Sequence, residues 1–464
     1  MNSASILFDH DKIAELIANE ESRIGLPDQS QSLCPLIIRI PLNRFDFLAW
    51  LNSNTSPLRF YWSNRDRTFE FGGTGDLLGG YYWREMTFAG RLDEVQSMLR
   101  KFDQDGTLRA FVGETFDSDM PLDDTWKGFP KQCIHLPEVS VITENGQTTA
   151  LITILRNPTD DQNANLRRIT TLLNTLDSSA SIKNCELGLS GRIDNPCRED
   201  WHHAVENSMD AIATGQIDKV VLARRTDFQV KGGIEPIQLL SQFAGGAANC
   251  YRIMYAPNRD AAFVSVSPER LFYCNGKLLS TEAVAGTIRR GESEIEDLAL
   301  ENRLRSNVKD RIEQSIVVEG ITESLQPLCE KIEFSSSASV MKLARVQHLI
   351  SEFRVILNHN ATSGSALKAL HPTAAVCGNP QQAARELLRK IESFSRGWYA
   401  SAIGVIGADQ CELAVGIRSA VIRNQSIGLF TGAGIVSQSD PEAEWQELED
   451  KLHSILMSGN GLNA

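Results

Sequence analysis

The chain has 464 residues, 42% hydrophobic and 23% charged, and Asp and Glu outnumber Lys and Arg by 59 to 46 for a formal net charge of -13. That length allows two or three domains or one large one with a sizeable core, and the apolar-to-charged balance excludes a disordered chain. The acidic surplus excludes a general basic field for nucleic acid or an anionic membrane surface, so an anionic ligand must be met by locally placed cations.

The N-terminal stretch MNSASILFDHDKIAELIANEESR carries acids early and no apolar core behind a basic start, so it does not read as a secretory signal. No run approaches the ~20 apolar residues that a membrane span needs. Nine cysteines lie far apart with no CxxC pair, which argues against a disulfide framework or structural zinc and for a reducing, cytoplasmic compartment. Up to about residue 195, strand-like runs (CPLIIRIPL, RFYWSN, TTALITILR) mix with helical stretches such as LDEVQSMLRKF. DNPCREDW at 194–201 then leads into the helical HHAVENSMDAIATG, closed by Gly215. This is the best boundary between a segment 1–195 and a segment 196–464, expected to form one integrated domain. Further on, KVVLAR, AAFVSVS, RLFYCNG with KLLSTEA, SAIGVIG, CELAVGIRSAVI and SIGLFTGAGIV read as strands, with long helices at 296–326 and 441–458. Short joins, NG at 275–276 and RNQ at 423–425, predict hairpins and therefore antiparallel pairing. The expected class is α+β, with large antiparallel sheets forming a layered core flanked by helices.

Several charged residues fall where apolar ones belong. Lys219 begins the run Val220, Val221, Leu222, Ala223, which has the character of a covered strand. A buried ammonium is costly unless it is paired or gives up its proton, and a lysine that gives it up is a base; alternatively the stem packs and the head reaches water. Glu269 in SVSPERLF follows a proline and precedes an apolar turn. In an apolar setting it would hold a proton to donate, whereas a solvated turn acid would not. Arg418 reads as mid-strand in AVGIRSAVI, where the small same-face neighbours Ala414, Gly416 and Ala420 leave room for a carboxylate beside the guanidinium. TGAGIV at 431–436 reads as a glycine turn, either a plain tight turn or one whose N–H groups converge on an anion.

The last helix has Asp440 as N-cap, Pro441 in its first position and Gly459 to end it. Its apolar stripe is Leu448, Leu452 and Ile455, yet Glu444 and Lys451 fall in or beside that stripe and Glu447 lies on its flank. In the helix at 296–326 the stripe runs through Leu304, Val308 and Ile312 and then Ile316, Val317, Ile321 and Leu325, which places Glu313 among apolar positions. Two helices that each aim a carboxylate inward can share Mg2+, which takes one or two protein carboxylates and keeps waters. A Lys451–Glu447 pair at i, i+4 would need no metal.

In order, IDKVVLAR at 217–224, SPERLF at 267–272, STEAVAGTIRRG at 280–291, KDRIEQ at 309–314, HPTAAVCG at 371–378, GIRSA at 416–420, FTGAGIV at 430–436 and EWQE at 444–447 resemble the successive signatures of the chorismate-utilising enzymes. The resemblance covers about residues 200–458, and FVGETFDSD at 111–119 with WKGFP at 126–130 resembles the N-terminal half of that family. In the family, ammonia-using members carry an uncharged amide where this chain has Lys219, and aminodeoxychorismate synthases carry a nucleophilic lysine where it has Ala285; both positions imply water as nucleophile. The resemblance implies that Lys219 deprotonates a water attacking C2 of chorismate and that Glu269 protonates the departing C4 hydroxyl, giving isochorismate. It implies Mg2+ on Glu313 and Glu447, with Glu444 and Asp310 in its water shell. It implies substrate carboxylates on Arg418, Lys451 and the backbone at Gly432 and Gly434, with His371, Gly286 and Thr287 lining the ring pocket. A monomer is expected, with chorismate as its small-molecule partner. The nearest rival is a salicylate synthase, which goes on to expel pyruvate, and the consuming pathway, quinone or siderophore, stays open.

Overall fold

The computed structural model describes residues 10–24, 34–79, 86–103, 105–156, 162–176, 188–245, 247–335 and 337–456. Two antiparallel sheets, of 12 and nine strands among the described residues, form the layers. Their construction follows the two-residue period of the strands: in Cys34–Leu42, Ile37 packs into the core between the sheets, while Leu36, Ile38 and Ile40 face a second apolar cluster on the other side. Phe60 of Arg59–Ser63 stacks on Phe111 of Ala110–Glu114 with ring centres 4.7 Å apart, joining one sheet to the other. Both sheets draw strands from either side of residue 195: Ala110–Glu114 pairs with Ala402–Ile406, and Arg59–Ser63 with Tyr251–Ala256. The hairpins predicted at 275–276 and 423–425 form, with Gly276 at φ +59° and Asn424 at φ +54°. No disulfide joins the described cysteines, and no described helix is long and apolar enough to cross a membrane.

Three local expectations are corrected. The helix read at 296–326 is two, Glu294–Ser306 and Val308–Leu325, because the Asn307 side chain accepts a hydrogen bond from Asp310 N at 3.1 Å and restarts the spiral. The restart turns Val308, placed in the apolar stripe, outward to 66% exposure. CELAVGIRSAVI also divides, into Gln410–Val415 of the nine-stranded sheet and Ser419–Arg423 of the 12-stranded one. Arg418 therefore stands at the crossing between sheets, with φ +47°, and not mid-strand. Finally, TGAGIV is no turn: Ser426–Ile435 runs as one strand with Gly432 opposite Ala223 and Gly434 opposite Val221. The last helix, Pro441–Leu456, starts as expected, with Asp440 Oδ1 accepting from Ala443 N at 2.9 Å; Gly459 lies outside the described residues.

Candidate active site

The crossing at Arg418, the glycine-containing strand and the last helix enclose a cavity. Of the residues singled out in the sequence, Glu269, Gly286, Thr287, Glu313, Arg418, Gly432, Gly434, Glu447 and Lys451 line it. Lys219 and Asp310 stand behind that lining in contact with it, and the buried Glu444 lies one helical turn before Glu447. A Cβ on Gly286 would meet Asp310 Cβ at 3.0 Å, and a Cβ on Gly434 would collide with Glu313 Oε1 and lie 3.0 Å from Lys219 Cε. Gly434 is thus a glycine because the Lys219–Glu313 pair occupies the place of a side chain. At Gly432 a Cβ would lie 2.6 Å from the Tyr399 hydroxyl, which also borders the cavity.

Glu269 is 4% exposed and follows the strand Ala261–Ser267, its N–H donating to Ser267 Oγ at 3.2 Å. Burial, and then the neighbouring Glu282 carboxylate, push its carboxyl up to about 8 against the opposing pull of Lys219, Lys451 and Arg65. At neutral pH it is a carboxylic acid with a proton to give.

Lys219 has no exposure at all, and its Nζ stands 3.1 Å from Glu313 Oε1. Of the ways to keep an ammonium buried, pairing is the one found, since the cost of burying this cation is met by a carboxylate. Glu313 responds in kind: burial would raise its pKa, but the ammonium groups of Lys219, Lys309 and Lys451 hold it below the usual carboxylate value. Lys309, unremarked in the sequence, lies 2.5 Å from Glu444 Oε1. On the last helix Lys451 donates to Glu447 Oε1 and to the carbonyl of Gly432, both at 2.7 Å, so the i, i+4 pair exists and also ties the helix to the strand.

These acids crowd one another. Burial and Glu313 raise Asp310 to about 7, and burial and Glu447 raise Glu444 to about 7. Among the described residues no three acid, histidine or cysteine side chains stand close enough to enclose a metal ion. The donor set nevertheless consists of hard carboxylate oxygens on two facing helices, and a hard cation that keeps most of its waters needs one or two of them. Glu313 and Glu447 in the cavity wall, with Glu444 and Asp310 behind, fit such an ion.

Arg418 is the counterpart of this acidic wall. No acid side chain pairs with it among the described residues; its Nη2 donates to His348 Nε2 at 3.0 Å. Because a guanidinium only donates, Nε2 accepts and the ring proton sits on Nδ1, within 3.2 Å of the carbonyl of Gly286 and 3.1 Å of Thr287 Oγ1. Burial, then Arg418 and Lys451, lower His348 to about 3, so the ring stays neutral. A buried cation that leans on a neutral ring leaves its charge for an anion in the cavity. Sequence reading missed His348; its one signal is a lone imidazole within the apolar run VQHLI of the strand Val346–Leu357.

His371 was expected in the pocket and is not there. It ends the helix Ser363–Leu370, its backbone N–H on Leu367 O, and its ring Nε2 bonds the carbonyl of Thr115 at 3.0 Å. The loop after it supplies Ala375 and Val376 to the cavity instead.

A sequence profile of the family described as "Chorismate binding enzyme" matches residues 26–458. The chain is 32% identical over 444 residues to the isochorismate synthase MenF of Haemophilus influenzae, covering 96% of each. It is 32% identical over 415 residues to the salicylate biosynthesis isochorismate synthase of Pseudomonas aeruginosa, covering 88% of this chain and 86% of that one. Its fold is similar to the solved structure of MenF, the menaquinone-specific isochorismate synthase from Escherichia coli, with a TM-score of 0.81 and 29% identity over 96% of this chain and 99% of the other. At 20% identity, anthranilate synthase component I from Streptococcus pneumoniae shares the fold, with a TM-score of 0.67 over 93% of this chain and 94% of that one.

Proposed function

The chain belongs to the chorismate binding enzymes, and from that premise we propose that it is an isochorismate synthase, an isomerase that adds water at C2 of chorismate and releases the C4 hydroxyl as water. The observation that carries this reading is the pairing, around one cavity, of a carboxyl group held protonated at Glu269 with an amine at the place where ammonia-using relatives carry an uncharged amide. Lys219 takes a proton from the attacking water, and Glu269 passes its own to the C4 oxygen as that bond breaks, so one water enters and one leaves. Glu313 and Glu447 would hold Mg2+, with Glu444 and Asp310 farther out. Bound there, the ion would supply positive charge that neutralises a carboxylate of the substrate and weakens the hold of Glu313 on the Lys219 proton. Arg418 binds the other carboxylate through donors that no acid among the described residues uses, His348 keeps that guanidinium in place, and Lys451 adds a second cation near Gly432.

The test is to incubate the purified chain with chorismate and Mg2+ and to follow products by chromatography. Accumulation of isochorismate is expected. Stoichiometric salicylate and pyruvate without a helper lyase would make it a salicylate synthase, and ammonium-dependent anthranilate would return it to the ammonia-using relatives. Thorough EDTA treatment should abolish turnover and Mg2+ should restore it.

A further inference from the structure

Resting on that reading, we infer that Arg65 is a positioning residue for the proton donor: together with the carboxylate it binds, it grips the chain on both sides of Glu269. Arg65 lies in the turn between the strands Arg59–Ser63 and Phe69–Thr74, in the segment for which the family motifs assign no catalytic part. Its guanidinium forks onto Glu282, Nη1 to Oε1 at 2.7 Å and Nη2 to Oε2 at 2.9 Å, and Nη1 also donates to the carbonyl of Pro268 at 3.0 Å. Glu282 Oε1 in turn accepts from the backbone N–H of Arg270 at 2.9 Å. The residues directly before and after Glu269 are therefore held by the two ends of one ion pair. The backbone of Glu269 is held too, its carbonyl accepting from Val415 N at 3.1 Å.

An ion pair that only joined distant strands would need no contact with residues 268 and 270. The fork is also built for direction: two parallel bonds fix the plane of both partners, which a lysine ammonium cannot do. The Arg65 guanidinium lies 5.6 Å from the centre of the Tyr251 ring, whose hydroxyl accepts from Arg270 Nε at 2.9 Å, so arginines on either side of Glu269 share one aromatic support. The ionisable groups facing Glu269 are Glu282, Arg65, Lys219, Lys451 and the Tyr399 hydroxyl. Of these, Arg65 and Glu282 alone bond its flanking backbone. A misplacement of about 1 Å at a reacting group costs on the order of 10²-fold in rate, which is the scale such a clamp protects.

The experiment uses the full chain with chorismate and Mg2+, with wild type and Glu269→Gln setting the scale; an inactive wild type would sink the isochorismate synthase reading before the clamp is tested. Removing Arg65 alone would strand a buried Glu282 charge, so the informative variant is Arg65→Met with Glu282→Gln, which removes both charges together. It is expected to unfold within a few degrees of wild type, with kcat lower by about 10- to 100-fold and KM for chorismate within about threefold. Arg65→Lys keeps the charge and loses the fork. Its kcat should fall about tenfold with the alkaline limb of the pH profile unmoved, whereas Glu282→Gln should shift that limb to lower pH by removing a carboxylate from beside Glu269. A folded double variant with kcat within about twofold of wild type would overturn the proposal and leave Arg65 a staple between strands. If the double variant does not fold, Arg65→Lys decides: wild-type kcat overturns the clamp, and a loss confined to kcat supports it.

Discussion

Glu269 and Glu313 stand in the walls of one cavity with 4% of the first residue and 13% of the second side chain exposed, yet they carry opposite charge states. Glu269 has a carboxylate, Glu282, as its strongest charged neighbour and is held as a neutral acid up to about pH 8. Glu313 has three ammonium groups around it and is held ionised. Burial pushes both toward the protonated form, so burial does not decide between them; the sign of the nearest charge does. One cavity thereby holds a protonated carboxyl group on one wall and an ionised carboxylate on the other.

The sharpest way to break this contrast is to neutralise each acid in turn. Glu269→Gln should lower kcat by ~10²–10⁴-fold and leave the Mg2+ concentration for half-maximal activity unchanged. Glu313→Gln should raise that Mg2+ concentration, so titration of both variants with Mg2+ would show one phenotype where two are expected if the walls were equivalent. Next in size, Gly434→Ala would drive a methyl group into the Lys219–Glu313 pair, with an expected loss on the order of 10²-fold in kcat and a smaller effect on unfolding temperature. In wild type, kcat should fall about tenfold per pH unit above the Glu269 value of about 8, because the acid form is consumed as pH rises. A profile flat to pH 10 would deny Glu269 the role of donor. The smallest effect is on stability. The folded value of about 8 lies above the ordinary 4.5, so folding binds the Glu269 proton; this contribution is complete below about pH 4.5 and is lost as pH climbs through about 8. Calorimetry at pH 9 should therefore find Glu269→Gln melting a few degrees above wild type, a difference that vanishes at pH 4.

Legibility in the sequence tracks the range of the interaction. Cys34–Leu42 and the start of Pro441–Leu456 are readable because the apolar period and an Asp N-cap are local properties of a few consecutive residues. Glu313 and Lys219 stood out because a charge at an apolar position is anomalous wherever it lies. The single helix expected at 296–326 failed because one side-chain hydrogen bond, from Asn307, outweighs a continuous apolar pattern. His371 was placed in the pocket from its motif, but the helix it ends turns the ring toward Thr115.

By itself, then, the order of residues determined single elements such as Cys34–Leu42 and the start of the last helix, the antiparallel hairpins and which charges fell at apolar positions, since each follows from periodicity or capping within a few residues. Only the tertiary structure decided where those charges met: Lys219 on Glu313, Lys309 on Glu444, Arg418 on His348 and Arg65 across 217 positions on Glu282. Electrostatic pairing depends on distance in space, and the crossing of the chain from one sheet to the other at Arg418 brings together groups whose sequence separation carries no record of that distance.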